Sequence, residues 1–341
     1  MKKKLLIRTL QGEKTSRVPF WLMRQAGRYL PEYRELRKQA GSFLNLCFNP
    51  EMAARVTLQP IERFDMDAAI LFSDILVVPH ALGQKLEFTE GEGPKLEPLK
   101  KINDIDFEAF DKKLSPIYET IRTVKKNLAE DKALIGFAGA PWTIACYMIQ
   151  GRGDNEFTEA KKFAFSNTAE FDQMMEKLVA ATSHYLIEQI KAGVDAVQIF
   201  DSWAGLLPEP YFGRWVIQPT QNIVKAVHKV YPDFPIIGFP RRAGMFYQDY
   251  AEQAGVSCVG IDQYTPLDRA ICSFGSKVAI QGNLDPVALL AGGKTLEGEI
   301  KRILAAAGKS PFIFNLGHGI IKETPPAHVE LLAKLVKAHE R

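Results

Sequence analysis

Cysteine is scarce in this chain of 341 residues. Its four cysteines, Cys47, Cys146, Cys258 and Cys272, include no C-x-x-C pair. They read as reduced, mostly buried thiols of a cytoplasmic protein. Histidine is nearly as rare: six residues are scattered along the chain, and no expected strand end brings His and Cys together, so no metal site is expected. No apolar run approaches the roughly 18 residues that a membrane-spanning helix needs. The basic start "MKKKLLIRTL" reaches Arg8 after a very short apolar stretch, too little for a secretory signal or an anchor. A charge excess is missing as well. With 43 basic and 40 acidic residues the net charge is +3, which gives no reason to expect nucleic acid or a membrane surface as partner. Any cationic site must therefore be local. Internal repeats, low-complexity tracts and a phosphate-cradling glycine-rich turn are also missing.

What the chain does contain is a series of short apolar runs, each ending in polar or glycine-rich sequence. They are "VPFWLMR" from Val18, "AAILFSD" from Ala68, "ALIGFAGAPW" from Ala133, "AVQIFDSW" from Ala196, "PIIGFPR" from Pro235, "CVGIDQY" from Cys258, "VAIQGN" from Val278 and "FIFNLGHG" from Phe312. Unalternating apolar runs suit strands covered on both faces, as in parallel sheets. Helical text lies between them. "NPEMAARVTLQPIERF" offers Asn49 as a cap and Pro50 in the first turn, "EFDQMMEKLVAATSHYLIEQIKAG" closes on Gly193, and "TPPAHVELLAKLVKAHE" repeats the capped amphipathic pattern. Eight strand–helix units predict a single-domain α/β protein, a (β/α)8 TIM barrel over residues 1–341. An open doubly wound sheet is the alternative. "GQKLEFTEGEGPKLEPLK" from Gly83 reads as an excursion on the upper face of the barrel, and "QGRGDNEF" from Gln150 as a loop.

In a barrel the C-terminal strand ends surround the active site. Here they carry Arg24 with Arg28, Ser73 with Asp74, Trp142 with Tyr147, Asp201 with Ser202, Arg241, Asp262, Gln281 with Asn283, Asn315 and His318. No nucleophile–base pair is among them. Arg28 has a plain alternative, a surface pair with Glu32 worth little. Arg24 directly ends an apolar run, where an unpaired buried guanidinium is costly, and Gly27 lets the backbone approach a ligand. Two arginine forks suit carboxylates or phosphates. In "AAILFSDILVVP" only Ser73 and Asp74 are polar, so Asp74 must be hydrogen-bonded or raised in pKa; a helix cap and a catalytic role are both open. Glycines flank His318. Tyr147 fits a core aromatic as well as a ligand contact, and Asp201 with Ser202 fits a turn as well as chemistry. His184 and Glu188 share a helix face and read as a solvated pair.

The blocks "MRQAGRYLPEYRELR", "AILFSDILVVPHALG", "GFAGAPWTIACYM", "FDSWAG", "QGNLDP" and "FNLGHGI" followed by "TPPAHV" closely resemble the uroporphyrinogen decarboxylase family over nearly the whole chain. The resemblance implies a cofactor-free, homodimeric (β/α)8 enzyme of haem biosynthesis that converts the four acetate side chains of uroporphyrinogen III to methyls, giving coproporphyrinogen III and carbon dioxide. It implies that Arg24, Gln25, Ala26, Gly27 and Arg28 line the substrate site, with both arginines facing carboxylates. It makes Asp74 the acceptor for the pyrrole N–H groups, and Tyr147, Ser202 and His318 further binding positions. Asp74 and Arg24 are the catalytic candidates. The chain departs from the family pattern at Arg242, where glycine is commoner, at Gln263 and Tyr264, and at Lys322, where proline is frequent. None coincides with a site position, so only local loop shape is expected to change. Two rival readings are a corrinoid- or zinc-dependent methyltransferase on a related barrel and a non-catalytic tetrapyrrole carrier.

Overall fold

The buried aliphatic runs pair with one another in sequence order. The computed structural model describes residues 4–89, 93–99 and 101–340. Its strands are β1 (Ala68–Ile70), β2 (Leu86–Thr89), β3 (Gly93–Leu96), β4 (Ala133–Gly139), β5 (Ala196–Asp201), β6 (Ile236–Pro240), β7 (Cys258–Gly260), β8 (Ala279–Leu284) and β9 (Phe312–Leu316). Seven of them form one curled sheet in the order β1-β4-β5-β6-β7-β8-β9, with every pair parallel. The β4, β6, β8 and β9 strands are buried along their whole length, as their unalternating sequences require. Helices cover the sheet between strands, and one continuous apolar core fills the space.

The first predicted strand turns out differently. "VPFWLMR" makes a single parallel bridge, Phe20 to Phe314, instead of a ladder. Phe314 N–H donates to the Pro19 carbonyl at 2.9 Å, Trp21 N–H to the Phe314 carbonyl at 3.3 Å, and Asp67 N–H to the Phe20 carbonyl at 3.0 Å. Residues 19–21 thus touch both β9 and the residue that leads into β1. The ladder stops because side chains take over the next backbone donors: Leu22 N–H goes to Gln25 Oε1 and Met23 N–H to Asn315 Oδ1. Pro19 has no N–H to offer.

Local chemistry fixes the helices as expected. Pro50–Phe64 starts with Asn49 accepting from Met52 N–H and with Pro50 in its first turn. Thr168–Ala192 ends on Gly193 at φ +118°, and Pro326–Lys337 starts on a proline. His184 corrects one expectation. Its ring bonds Asp111 on the neighbouring helix at 2.8 Å and packs against Phe107 and Phe110, while Glu188 pairs with Lys191. The excursion after Gly83 is the β2–β3 hairpin, and the part of it at residues 90–92 and 100 lies outside the described residues. The loop after Gln150 bridges back to the hairpin through Lys95 and Arg152 and buries Phe157 against Tyr147 and Trp203. Among the described residues no helix is long and apolar enough to cross a membrane. Three cysteines are buried and Cys272 is exposed, all unpaired.

One carboxylate clasps the first segment to the sheet. Asp67 accepts from Arg17 Nη1 at 2.8 Å, Arg17 Nη2 at 2.6 Å and Phe20 N–H at 3.0 Å, and is itself 3% exposed. Asp67→Ala strands both the guanidinium and the N–H. Urea unfolding should show a loss of about 3 kcal/mol, the low end for breaking a buried pair because Arg17 is partly exposed; a loss below about 0.5 kcal/mol, the level of an ordinary surface substitution, would show the clasp to be dispensable.

Candidate active site

Most polar groups at the strand ends are consumed by the fold, and accounting for their bonds sorts the site. Gln281 accepts from the Trp21 indole and donates to Gln198. Asn283 donates to the carbonyls of Asp262 and Thr265. Asn315 accepts from Met23 and Leu316 N–H. Asp262 accepts from Arg242 N–H, Tyr264 N–H and the hydroxyls of Tyr247 and Thr265. Asp201 accepts from the Thr143 hydroxyl at 2.6 Å, and burial pushes its pKa up to about 7. These residues shape loops, while Asp201 Oδ2, Asn283 Oδ1 and Asn315 Nδ2 stay buried without a partner among the described residues.

The segment from Arg24 to Arg28 divides in the same way. Gln25 faces inward: its amide accepts from Leu22 N–H and donates to the Ala68 carbonyl, and its own carbonyl accepts from the Tyr29 hydroxyl. Its side chain is therefore not offered to a substrate, which leaves the two guanidinium groups and the backbone of Ala26 and Gly27. Arg24 is exposed rather than buried, because its backbone adopts φ +61° and lifts the side chain out of the core at the end of the run. That left-handed conformation is uncommon for a residue with a Cβ and clusters at functional sites. Arg24 lies across Gly319, where a Cβ would come within 2.3 Å of its Cδ; only glycine admits it. Arg28 is also exposed, at the edge of the site near Tyr33. Glu32 does not neutralise it, since that carboxylate is bonded to Arg63 at 3.2 Å. The surface-pair alternative for Arg28 is thereby removed.

Asp74 is not the cap of the helix that follows it. Its Oδ1 accepts from Leu76 N–H at 2.8 Å in the turn that leads into the helix Val77–Ala81, whose N-cap residue is Leu76 and has no side-chain cap bond. No described protein group donates to Oδ2. Burial pushes the carboxyl above the ordinary range, opposed by the Leu76 N–H and by the charge of Arg24. Tyr147 stands close enough to Asp74 and Arg24 to feel both charges, and its ring packs against Phe157 and Trp203. Burial raises its hydroxyl pKa, so it stays a neutral donor. Ser202 follows Asp201 and precedes Trp203, half-buried at the end of β5. A cavity of about 470 Å³, lined by Arg152, Gly153, Asp154, Asn155 and Trp203, opens beside Tyr147.

His318 holds the opposite side. Burial, then the charges of Arg24, Arg241 and Arg242, push its pKa down to about 3. The two arginines after β6 are the part of the site that sequence reading left out. Arg241 was visible as a strand end and Arg242 only as a departure from the family pattern, expected to leave the site positions alone. Arg242 instead helps to hold His318 neutral. Its φ of +61° explains why glycine suits that position elsewhere, and its guanidinium lies 5.6 Å from the Tyr264 ring centre. Lys322 pairs with its exposed neighbour Glu323, while Gln263 packs against Gly317. Among the described residues no three His, Cys, Asp or Glu side chains gather as a metal ion would need.

The His318 shift has a sign. The unfolded chain takes up a proton near pH 6.5 that the folded one refuses until about pH 3, so this residue favours the folded state fully above about pH 6.5 and progressively less as pH falls. In an NMR titration its imidazole signals should stay flat between about pH 5 and 8, the range in which an ordinary histidine titrates. A sigmoid centred near pH 6 would contradict the arginine-lined geometry.

Comparison with known proteins agrees with the geometry. The protein-family model described as uroporphyrinogen decarboxylase matches residues 1–339. The uroporphyrinogen decarboxylase of Chelativorans sp. (strain BNC1) is 51% identical over 339 residues, 99% of both chains. That of Rhodospirillum rubrum is 49% identical over 340 residues, 98% of this chain and 97% of the relative. Among solved structures, a methyltransferase from Methanosarcina mazei superposes with a TM-score of 0.80, covering 97% of each chain at 19% identity, which speaks for the fold alone. The chain belongs to the uroporphyrinogen decarboxylase family.

Proposed function

We propose that this chain decarboxylates the four acetate side chains of uroporphyrinogen III, releasing coproporphyrinogen III and carbon dioxide in haem biosynthesis. The observation that carries the reading is Asp74 Oδ2, a carboxylate oxygen with no donor among the described residues, within reach of the charge of Arg24, which has no carboxylate partner among them. A reduced tetrapyrrole complements that arrangement with converging N–H groups at its centre and carboxylates around its edge. Asp74 accepts from the pyrrole N–H groups, Arg24 and Arg28 hold carboxylates, and Tyr147, Ser202 and neutral His318 donate hydrogen bonds.

The chemistry starts with a proton added to the pyrrole ring carbon adjacent to the one that bears the acetate arm. The ring becomes a cation, the bond to the carboxylate breaks, and its electron pair flows into the ring as carbon dioxide leaves. The resulting exocyclic methylene takes a proton at its CH2, and the ring carbon gives up the one it had gained. The substrate thus supplies its own electron sink, and a pyridoxal or thiamin cofactor has no task here. A fixed anion in a desolvated site stabilises the cationic intermediate, which is the part Asp74 plays. Guanidinium, with a pKa above about 12, is a poor acid, and His318 carries no extra proton at neutral pH. The first proton therefore comes from water or from a substrate carboxyl. In this reading residues 19–21 form the eighth stave of a closed single-domain barrel, and the working enzyme is a cytoplasmic homodimer.

Incubation with uroporphyrinogen under reducing, anaerobic conditions should release carbon dioxide in step with loss of carboxyl groups; binding without release would make the chain a carrier. Asp74→Asn separates the turn from the catalyst, because an Asn side-chain oxygen accepts the Leu76 N–H in that turn about as well as Asp. It should fold normally and lose about 3–4 kcal/mol of transition-state stabilisation, roughly several hundred-fold in turnover. Normal turnover in that variant would eliminate Asp74 from the chemistry. Arg28→Ala should raise KM about tenfold, the worth of one charged hydrogen bond, with Arg28→Lys recovering only part; an unchanged KM in both would return Arg28 to the surface.

A further inference from the structure

Arg241 is fixed at its backbone and has a buried guanidinium nitrogen without a partner among the described residues. Its N–H donates to the carbonyls of Asp201 (3.0 Å) and Phe239 (3.1 Å), and its own carbonyl accepts from Gly205 N–H at 3.1 Å. The end of β6, the middle strand of the seven, is thereby fixed in place. The guanidinium is half-buried, and its Nε is fully buried without a partner. Asp262, the nearest carboxylate to bear on it, is already committed to Arg242 N–H, Tyr264 N–H, Tyr247 and Thr265. The charges of Arg24 and Arg242 bear on the same space, and both disfavour another cation there. A partly desolvated guanidinium held beside two like charges is costly unless an anion arrives. Arg242 is turned aside over Tyr264, at the rim, and contributes field more than contact.

We propose that Arg241 binds a side-chain carboxylate of the tetrapyrrole, with Arg242 strengthening that subsite through its charge. This rests on the decarboxylase reading of the same site. The carboxylate is either an acetate, lost in the reaction, or a propionate, retained in the product. Three variants test it: Arg241→Ala, Arg241→Met, which keeps the apolar stem against its packing, and Arg241→Lys. Measurements are KM and kcat with uroporphyrinogen, and competition by the product coproporphyrinogen, each at several salt concentrations.

Arg241→Ala and Arg241→Met should raise KM about ten- to hundred-fold, the range for losing a hydrogen bond to a charged partner, flatten the salt dependence, and leave the melting temperature unchanged; Arg241→Lys should fall between. A propionate subsite weakens product competition as well, whereas an acetate subsite leaves it intact. Wild-type KM and salt dependence in both Ala and Met variants, with the wild-type enzyme turning over normally, would overturn the Arg241 assignment and leave the decarboxylase reading standing. A wild-type protein that neither binds nor decarboxylates uroporphyrinogen would overturn the decarboxylase reading and the Arg241 subsite with it.

Discussion

Positive charges crowded into one cleft repel one another, and this constraint orders the whole upper face of the sheet. Burial, joined by the charges of Arg24, Arg241 and Arg242, keeps His318 neutral, and none of the three arginines has a carboxylate partner among the described residues. The carboxylates make their bonds elsewhere: Asp262 to backbone and hydroxyl donors, Asp201 to Thr143 through Oδ1 alone, and Glu32 to Arg63. The fold keeps its own anions away from its cations, and that leaves room for the anions of a ligand. Asp74 is the exception, and it serves the centre of the site, not the rim.

The scaffold makes this possible by spending strain and buried polar bonds where they hold side chains apart. Asn315 and Gln25 take over backbone donors after Trp21, and so end the first pairing after one bridge and turn Arg24 outward at positive φ. Gly319 leaves the flat surface on which Arg24 lies. Asp262 clamps the turn in which Arg242 also sits at positive φ. Each device belongs to a different strand end, so the site depends on the sheet keeping all its strands in register; the Asp67 clasp joins Arg17 and Phe20, in the segment that leads to Arg24, to the start of β1.

The parallel sheet was legible because its strands are short, apolar and unalternating, a pattern that survives without tertiary context. Helix ends at Asn49, Gly193 and Pro326 were legible for the same local reason. What could not be read was partnership between distant residues. Nothing in the local sequence says that Glu32 belongs to Arg63 thirty-one positions on, that His184 belongs to Asp111, or that the Gln25 side chain turns inward. The run at Val18 is as apolar as any other; its failure to form a ladder comes from side-chain acceptors, one nearby at Gln25 and one far along the chain at Asn315. Arg241 was visible as a strand end, but its importance appears only after the bonds of Asp262 have been counted. Positive φ at Arg24 and Arg242 left no local trace, except that the family's commoner glycine at the second position anticipates it.

The central claim is that Asp74 offers its unbonded oxygen to the pyrrole N–H groups of a reduced tetrapyrrole while the arginines take the carboxylates. A crystal structure with coproporphyrinogen bound, grown anaerobically, tests this most directly. The account predicts ring nitrogens converging on the Asp74 carboxylate at about 3 Å, the ordinary hydrogen-bond distance, with peripheral carboxylates on the arginines. Ring nitrogens turned away from Asp74, in crystals that decarboxylate uroporphyrinogen soaked into them, would contradict it.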